Sequence, residues 1–172
     1  MPIVAADVAF RLSGGAANTS PAASLGGAMS TAGGGIIPDA TLNAIWDNVS
    51  GSEHSAGDVE YRCIYVQNNH ATLTAEAVAF FFDAEGGSAD TAVDGGADAA
   101  AAGTAAQVVA NEQTAPTSVT FSRPTTRAAG ISLGNIGPAS YKAVWLRRTV
   151  LAGTTAFNGD SVGFRVALDT AA

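Results

Sequence analysis

Residues 60–82, EYRCIYVQNNHATLTAEAVAFFF, hold two runs of strand-forming residues joined by a short polar patch. Side chains alternate between the two faces of a strand. In the first run one face is apolar or aromatic, while the other begins polar at Glu60 and Arg62 and ends apolar, which predicts a strand half covered along its length. The second run ends with both faces apolar at residues 80–82, so this end is expected deep in a core or under a partner.

Further short strand patterns surround this pair. The sequence predicts strands at residues 8–12, 105–111, 118–122, 129–134, 140–150 and 161–169. The last of them has the cleanest alternation, with these side chains facing in: Val162, Phe164, Val166 and Leu168. The step Asn158-Gly159 before it readily takes the positive φ angles of a turn. About seven or eight short strands without a convincing amphipathic helix indicate an all-β fold, a β-sandwich or jelly-roll-like single domain.

Two segments interrupt the strand patterns. Residues 1–35 are dominated by Gly, Ala, Ser and Asn, which cannot bury enough apolar surface to order themselves. We therefore expect an extended N-terminal arm that becomes ordered against something else, followed by a sandwich domain over residues 36–172. Within that domain, the acidic Gly/Ala-rich residues 83–103 are predicted to form a flexible surface loop.

The segment IIPDATLNAIWDNVSG, residues 36–51, leaves two local structures open. Asp39 could cap a short helical turn, or the segment could lie as a loop against a sheet. Both alternatives bury Trp46.

The composition limits the classes of partner. Charged residues make up 13% of the 172 residues, against about 25% in an average soluble protein. A surface of small uncharged residues is typical of a domain that is covered by copies of itself or by a larger assembly. The net charge of −7 and the single lysine, Lys142, leave no basic stripe, so no direct nucleic-acid partner is expected. No apolar run reaches the roughly 20 residues of a membrane span, and no membrane association is expected.

No group of residues predicts catalysis. The sequence contains no Gly-x-Ser-x-Gly nucleophile motif. It also places no pair of carboxylates at the ends of the predicted strands. His54 and His70 have no zinc-ligand spacing around them, and Cys63 is expected to be a buried small apolar residue. We therefore expect no catalytic residues, no metal, no cofactor and no enzymatic activity.

The acidic insertion could supply oxygen ligands to a hard cation, and Asp90, Asp94 and Asp98 are the calcium candidates. The order of residues departs from that of an EF-hand loop, however. A solvated, negatively charged projection is the preferred interpretation.

Arg147 and Arg148 form the only basic doublet of the sequence. Their side chains must point to opposite faces of a strand, so at least one should reach a carboxylate or a partner surface. The alternative is a strand end at the rim of the sheet. The complete set of interface candidates is Phe10, Arg11, Leu12, Leu25, Trp46, Arg147 and Arg148.

Three stretches carry a resemblance: FRLSGGAANTSPAASLGGAMS (10–30), WDNVSGSEHSAGDVEYRCIYVQNNHATLT (46–74) and KAVWLRRTVLAGTTAFNGDSVGFRVALDT (142–170). They resemble virion structural proteins of tailed bacteriophages, and the resemblance covers most of the chain apart from residues 83–103. It contains no catalytic motif. It implies a non-enzymatic particle component, and among these a capsid decoration (cement) protein agrees best with the composition.

The resemblance also implies partners and a place. A protein of this kind would be made in the host cytoplasm and sit on the capsid surface as a homotrimer bound to the major capsid protein, with its arm ordered on a neighbour. Deleting residues 1–35 should then abolish attachment and leave the sandwich folded. A tail, neck or fibre-associated adhesin that recognises host surface glycan is the alternative binding function, and a virion-associated hydrolase is the enzymatic one.

Overall fold

The chain folds into two antiparallel sheets and a short ribbon. The computed structural model describes residues 2–86, 88–153 and 160–170. Its strands are β1 (Val8–Leu12), β2 (Gly26–Gly27), β3 (Asp58–Asn68), β4 (Ala75–Gly86), β5 (Thr91–Ala97), β6 (Ala106–Val108), β7 (Ile131–Ile136), β8 (Tyr141–Val150) and β9 (Ser161–Thr170). The first sheet has the order β1-β3-β8-β5, the second has the order β7-β4-β9, and β2 pairs with β6.

Helical structure is limited to short pieces in the described part of the chain. One α-helix, α1, spans Gly51–Ala56, and the 3-10 turns span Ala5–Asp7, Pro21–Ala23, Gly33–Gly35 and Arg127–Ala129. Ser50 caps α1 by accepting a hydrogen bond from the backbone N–H of Glu53, whose carboxylate accepts one from the N–H of Ser50. Residues 38–49 contain no helix, so this segment is a loop, as one alternative had it. Ile45 is buried, but Trp46 is only half-buried and Leu42 is 76% exposed, so the loop packs less closely than predicted.

The main core lies between the two sheets. Side chains from both sheets meet there, and each of the following is at most 4% exposed: Ile64, Val66, Val78, Phe80, Phe82, Val93, Val144 and Leu146. Phe80 and Phe82 pack edge to face with ring centroids 5.5 Å apart. Burial of each such side chain contributes about 1.5–3 kcal/mol. The structure therefore confirms the all-β class and the β-sandwich-like architecture.

A second core covers the opposite face of the first sheet. Its members are Met29, Tyr61, Cys63, Tyr65, Ala106, Val109, Ala143 and Trp145. Strand β3 is consequently buried on both faces, and the prediction of a half-covered strand is wrong. Sequence alternation correctly showed to which face each side chain points. It could not show that a layer of irregular backbone buries the second face of the strand.

That added layer includes the N-terminal segment. The sequence predicted an arm ordered against something else; in the structure β1 pairs with β3, and residues 24–29 lie on the chain's own first sheet. The N–H of Cys63 donates to the carbonyl of Ser24 at 2.7 Å, and the N–H of Val109 donates to Leu25 at 3.0 Å. Gly26 makes this contact sterically feasible, since its φ is 94° and a Cβ there would lie 1.8 Å from the carbonyl oxygen of Gln107. Backbone hydrogen bonds and close approach thus replace the missing apolar side chains.

Part of the acidic insertion is a strand. Residues 91–97 form β5, which pairs with β8 along its whole length, although the sequence predicted a flexible loop over residues 83–103. Two glycines explain the difference. A Cβ at Gly95 would lie 3.3 Å from the ring of Phe82, and a Cβ at Gly96 would lie 2.5 Å from the carbonyl oxygen of Thr120. The glycines allow close packing on both faces here, whereas in sequence they indicate a loop.

Two other local predictions have different outcomes. Residues 118–122 were predicted to be a strand, but they contribute only an isolated bridge between Ser122 and Gly95. The turn predicted at Asn158-Gly159 lies outside the described residues.

Candidate functional site

A buried cluster of charges lies at one end of the first sheet, on the face that meets the second sheet. Glu60 on β3 and Arg148 on β8 are cross-strand neighbours and are 1% and 5% exposed. The Nε of Arg148 donates to Oε2 of Glu60 at 2.5 Å. Two charges at this depth lose much hydration, so the pair depends on good geometry and on further hydrogen bonds.

Those hydrogen bonds come from the loop before α1. Arg148 also donates to the carbonyl oxygen of Asp47 at 2.7 Å and to its Oδ1 at 3.3 Å. The Trp46 ring centroid lies 5.1 Å from the guanidinium carbon of Arg148 and 5.2 Å from that of Arg62. Arg62 is 1% exposed and pairs with the carboxylate of Glu112. The cluster therefore fastens the loop and the Glu112 segment to the sheet.

Burial raises the pKa of Glu60 in this cluster and of Cys63 on the opposite face of the same strand, and it makes neither side chain reactive. Desolvation raises the pKa of Glu60 above its ordinary value, although Arg148 and Arg62 oppose the shift. Desolvation also raises the pKa of the buried Cys63 thiol, which keeps it protonated and unreactive. Since Arg148 and Arg62 already bind carboxylates, the cluster is suited to holding structure together.

The calcium candidates do not converge on one site. Asp94 pairs with Arg147, and Asp98 is buried and accepts hydrogen bonds from Trp145 at 2.8 Å and Gln107 at 3.1 Å. The Oδ2 of Asp90 lies 3.5 Å from Nε2 of His54. Asp94 and Asp98 are thus committed to different partners within the chain, and Asp90 lies beside a third residue, His54.

In the described part of the chain, one set of three acidic residues is close enough together to share a metal ion. It consists of Glu53, Asp58 and Glu60. Each of the three already accepts hydrogen bonds. Glu53 accepts from Ser50 at 2.6 Å, Asp58 accepts from the N–H of Val59 at 2.8 Å, and Glu60 is paired with arginine. These interactions account for the three carboxylates without a metal.

The predicted interface residues all make contacts within the chain. Both arginines of the doublet reach carboxylates, Arg147 reaching Asp94 and Arg148 reaching Glu60, as expected for opposite faces. A role for any of them at an interface stays a prediction. The remaining positions are spread over the molecule: Phe10 packs on Phe164, Arg11 donates to Gln67 and to the carbonyls of Ser30 and Ala32, Leu12 is buried, Leu25 packs on the second core and Trp46 lies in the charge cluster.

The two long sides of the sandwich differ. At the β5 and β7 side, the chain segment around residues 119–130 covers the gap, with Phe82 donating its N–H to the carbonyl of Pro124 at 2.8 Å. At the β1 and β9 side an apolar groove remains. It is lined by Ile3, Val4, Ala5, Val8, Phe10, Val166, Ala167 and Leu168.

Strand β9 is the outer strand of the second sheet on this side. It pairs with β4, and among the described residues no backbone–backbone hydrogen bond joins its other edge to another segment. At the end of the strand, the N–H of Ile3 donates to the side-chain oxygen of Thr170 at 3.3 Å. Its inward side chains at 162, 164, 166 and 168 are half-buried. Sequence alternation identified these inward positions. It missed that the strand lies at an edge, because strand order is set by long-range pairing.

Comparison with known protein families, with curated proteins and with solved structures finds no match for this chain. No helix within the described ranges is both long and apolar enough to cross a membrane. Among the features described above, the open β1 and β9 side has the clearest capacity for interaction, because a strand edge without a strand partner lies beside an apolar groove.

Proposed function

We propose that this chain is a non-enzymatic structural protein of a tailed-bacteriophage virion, a capsid decoration protein that stabilises the head by binding across capsid subunits. The observation that carries the proposal is the open side of the sandwich, where the ten-residue strand β9 keeps an unpaired edge beside an apolar groove. An exposed strand edge is a template for pairing with another chain. The resemblance of residues 10–30, 46–74 and 142–170 to phage virion proteins supports the particle context.

The charge distribution supports a binding role over a catalytic one. Buried charges are neutralised inside the chain, as with Glu60 and Arg148, so binding another protein does not require their desolvation. The remaining surface has few charged side chains to strip of water, which favours association through small and apolar residues.

The proposed mechanism is cementing through repeated contacts. Copies of the chain associate, as homotrimers in this proposal, and each copy contacts the major capsid protein on the outer surface of the head. Individual contacts need only modest affinity, because several contacts made together raise the overall strength of attachment.

The decisive experiment is the copy number of this chain in purified particles relative to the major capsid protein, measured by quantitative mass spectrometry. The proposal expects hundreds of copies on the order of one per capsid subunit, as repeated occupation of a symmetric shell requires. A few copies per particle would place the chain at the neck, tail or fibre. Absence from the particle would overturn the virion proposal.

A glycan-binding adhesin is the alternative function. Sugar-binding surfaces commonly present aromatic rings, because a ring supplies an apolar face with a polar edge. In the described part of the chain every Phe, Tyr and Trp side chain is at least half-buried, and Trp46 lies beside two arginines. This arrangement favours decoration over glycan recognition.

A further inference from the structure

We propose that the free edge of β9 binds the β9 of a second copy of this chain, as an antiparallel pair around a two-fold axis at Ala167. Such a pair would join the two outer sheets into one six-stranded sheet with the order β7-β4-β9-β9-β4-β7. Pairing of this kind satisfies the backbone groups of an edge strand and needs no rearrangement of the sandwich.

The charges on β9 are complementary to themselves in this register. Arg165 and Asp169 lie two residues on either side of Ala167, on the face away from the main core. A two-fold axis at Ala167 places each Arg165 directly opposite the Asp169 of the other copy. Opposite charges at directly paired positions stabilise antiparallel strands, and this register provides two such pairs.

The apolar residues agree with the same register. On the inward face, Val166 falls opposite Leu168 of the other copy, and both of these half-buried side chains line the groove beside β9. At the axis itself stands Ala167, whose small side chain allows two copies to approach at the distance of paired strands. Pairing would therefore cover part of the apolar surface that the open side leaves exposed.

The existing partners of these charges do not prevent the pairing. Arg165 contacts Asp83, and Asp169 contacts Arg127, but all four side chains are between 46% and 62% exposed. Exposed ion pairs of this kind contribute little and exchange partners readily. One charged side chain can also face two neighbours on adjacent strands.

A contact between two edge strands is small, so weak association in solution is expected, strengthened where many copies lie side by side. This inference concerns copies of the chain and uses the same open β9 side as the virion proposal. The two outcomes are distinguishable, because the tests below use purified protein while the copy number is measured in particles.

The first test is disulfide cross-linking of the full chain with Ala167→Cys. The axis brings the two new thiols together at the Cα separation of a directly paired position, within the range that a disulfide spans. The matched control is Ser161→Cys on the same strand, whose two copies would lie roughly 40 Å apart in this register. The native Cys63 is fully buried and does not compete.

Under mild oxidation, Ala167→Cys should form covalent dimers at least about tenfold faster than Ser161→Cys, because pairing raises the effective concentration of the facing thiols. Equal rates would overturn the proposed register. A wild-type chain that stays monomeric up to about 1 mM in sedimentation equilibrium would overturn self-pairing altogether.

The second test reverses one charge at a time. Arg165→Asp puts Asp opposite Asp, and Asp169→Arg puts Arg opposite Arg, so each variant alone should self-associate about tenfold more weakly than wild type. An equimolar mixture should recover association, because every paired position then joins an acid to a base. Circular dichroism verifies folding, and Asp83→Asn should leave association unchanged. Loss of association in the mixture as well, or no loss in the single variants, would contradict the pairing.

Discussion

At the scale of single residues, the buried pair of Glu60 and Arg148 determines how the loop before α1 is attached to the sheet. The two charges lie under Trp46 and Asp47, and the bonds from Arg148 to Asp47 link sheet and loop directly. A buried ion pair adds little net stability compared with an apolar pair of the same shape, but removal of one partner leaves an uncompensated charge. Substitutions of one partner should therefore have large effects.

Arg148→Met should destabilise the fold by about 3–5 kcal/mol, because the carboxylate of Glu60 loses its buried partner. The matched control is Arg147→Met, the next residue on the same strand. Arg147 pairs with Asp94 near the surface, with side chains 35% and 23% exposed, so its loss should cost about 1 kcal/mol or less. Urea unfolding of both variants measures the difference. Equal losses would show that the buried cluster is not special.

The raised pKa of Glu60 gives a pH dependence with a definite sign. The folded state holds the proton of Glu60 more tightly than the unfolded chain, in the window between the ordinary value of 4.5 and the raised value. The stability that this group contributes is thus present at low pH and is lost as pH rises through the folded pKa. The stability of wild type relative to Glu60→Gln should fall as pH rises from about 4.5. A rising difference in urea unfolding would contradict the assigned direction.

At the scale of elements, β5 shows how glycine can support a strand. Gly96→Ala should weaken the contact between β5 and the segment after it, because the new methyl group would lie 2.5 Å from both Thr120 and Val119. We expect a loss of about 1–3 kcal/mol, as for overpacking of a core. Gly51→Ala is the control, since nothing lies within 4 Å of its Cβ position at the start of α1. Thermal unfolding should show a clear loss for Gly96→Ala and none for Gly51→Ala.

The sequence predicted the strands whose alternation is strong. The patterns at residues 8–12, 140–150 and 161–169 match β1, β8 and β9 to within one residue at each end. Strand β5 was missed because two glycines and one aspartate, Asp94, hide its alternation. Helix α1 was missed too, although the Ser50-x-x-Glu53 capping signature marks its start.

The candidate site was less predictable than the strands. The opposite faces of Arg147 and Arg148 follow from strand geometry, and both side chains do reach carboxylates. The partner of Arg148 lies 88 residues away on β3, however, and that pairing depends on the register of the two strands. The free edge of β9 depends likewise on the order of strands in the second sheet. Local sequence patterns determine neither the register of two paired strands nor the order of strands in a sheet.

At the scale of the whole molecule, the sandwich carries a third layer on its first sheet. Residues of the N-terminal segment contribute Met29 and the carbonyl oxygen of Ser24, and β1 forms one edge of the first sheet. The hydroxyl of Tyr65 donates to the carbonyl oxygen of Gly27 and accepts from the N–H of Ala106 at 2.8 Å. Buried aromatic side chains and backbone groups of the first sheet thus depend on this segment for cover.

Deletion of residues 1–35 should therefore prevent stable folding, in contrast to the folded sandwich expected from the sequence. The deletion removes β1, exposes Cys63 and Tyr65 to water and leaves the hydroxyl of Tyr65 without one of its partners. Deletion of residues 1–4 is the control, and it should cost less than about 2 kcal/mol, because Ile3 is the one half-buried side chain among the described residues 2–4. Near-ultraviolet circular dichroism and urea unfolding distinguish the two. A cooperative transition of the longer deletion at the wild-type midpoint would show that the segment lies on the sheet without supporting it, and would return it to the role of an arm for a neighbour.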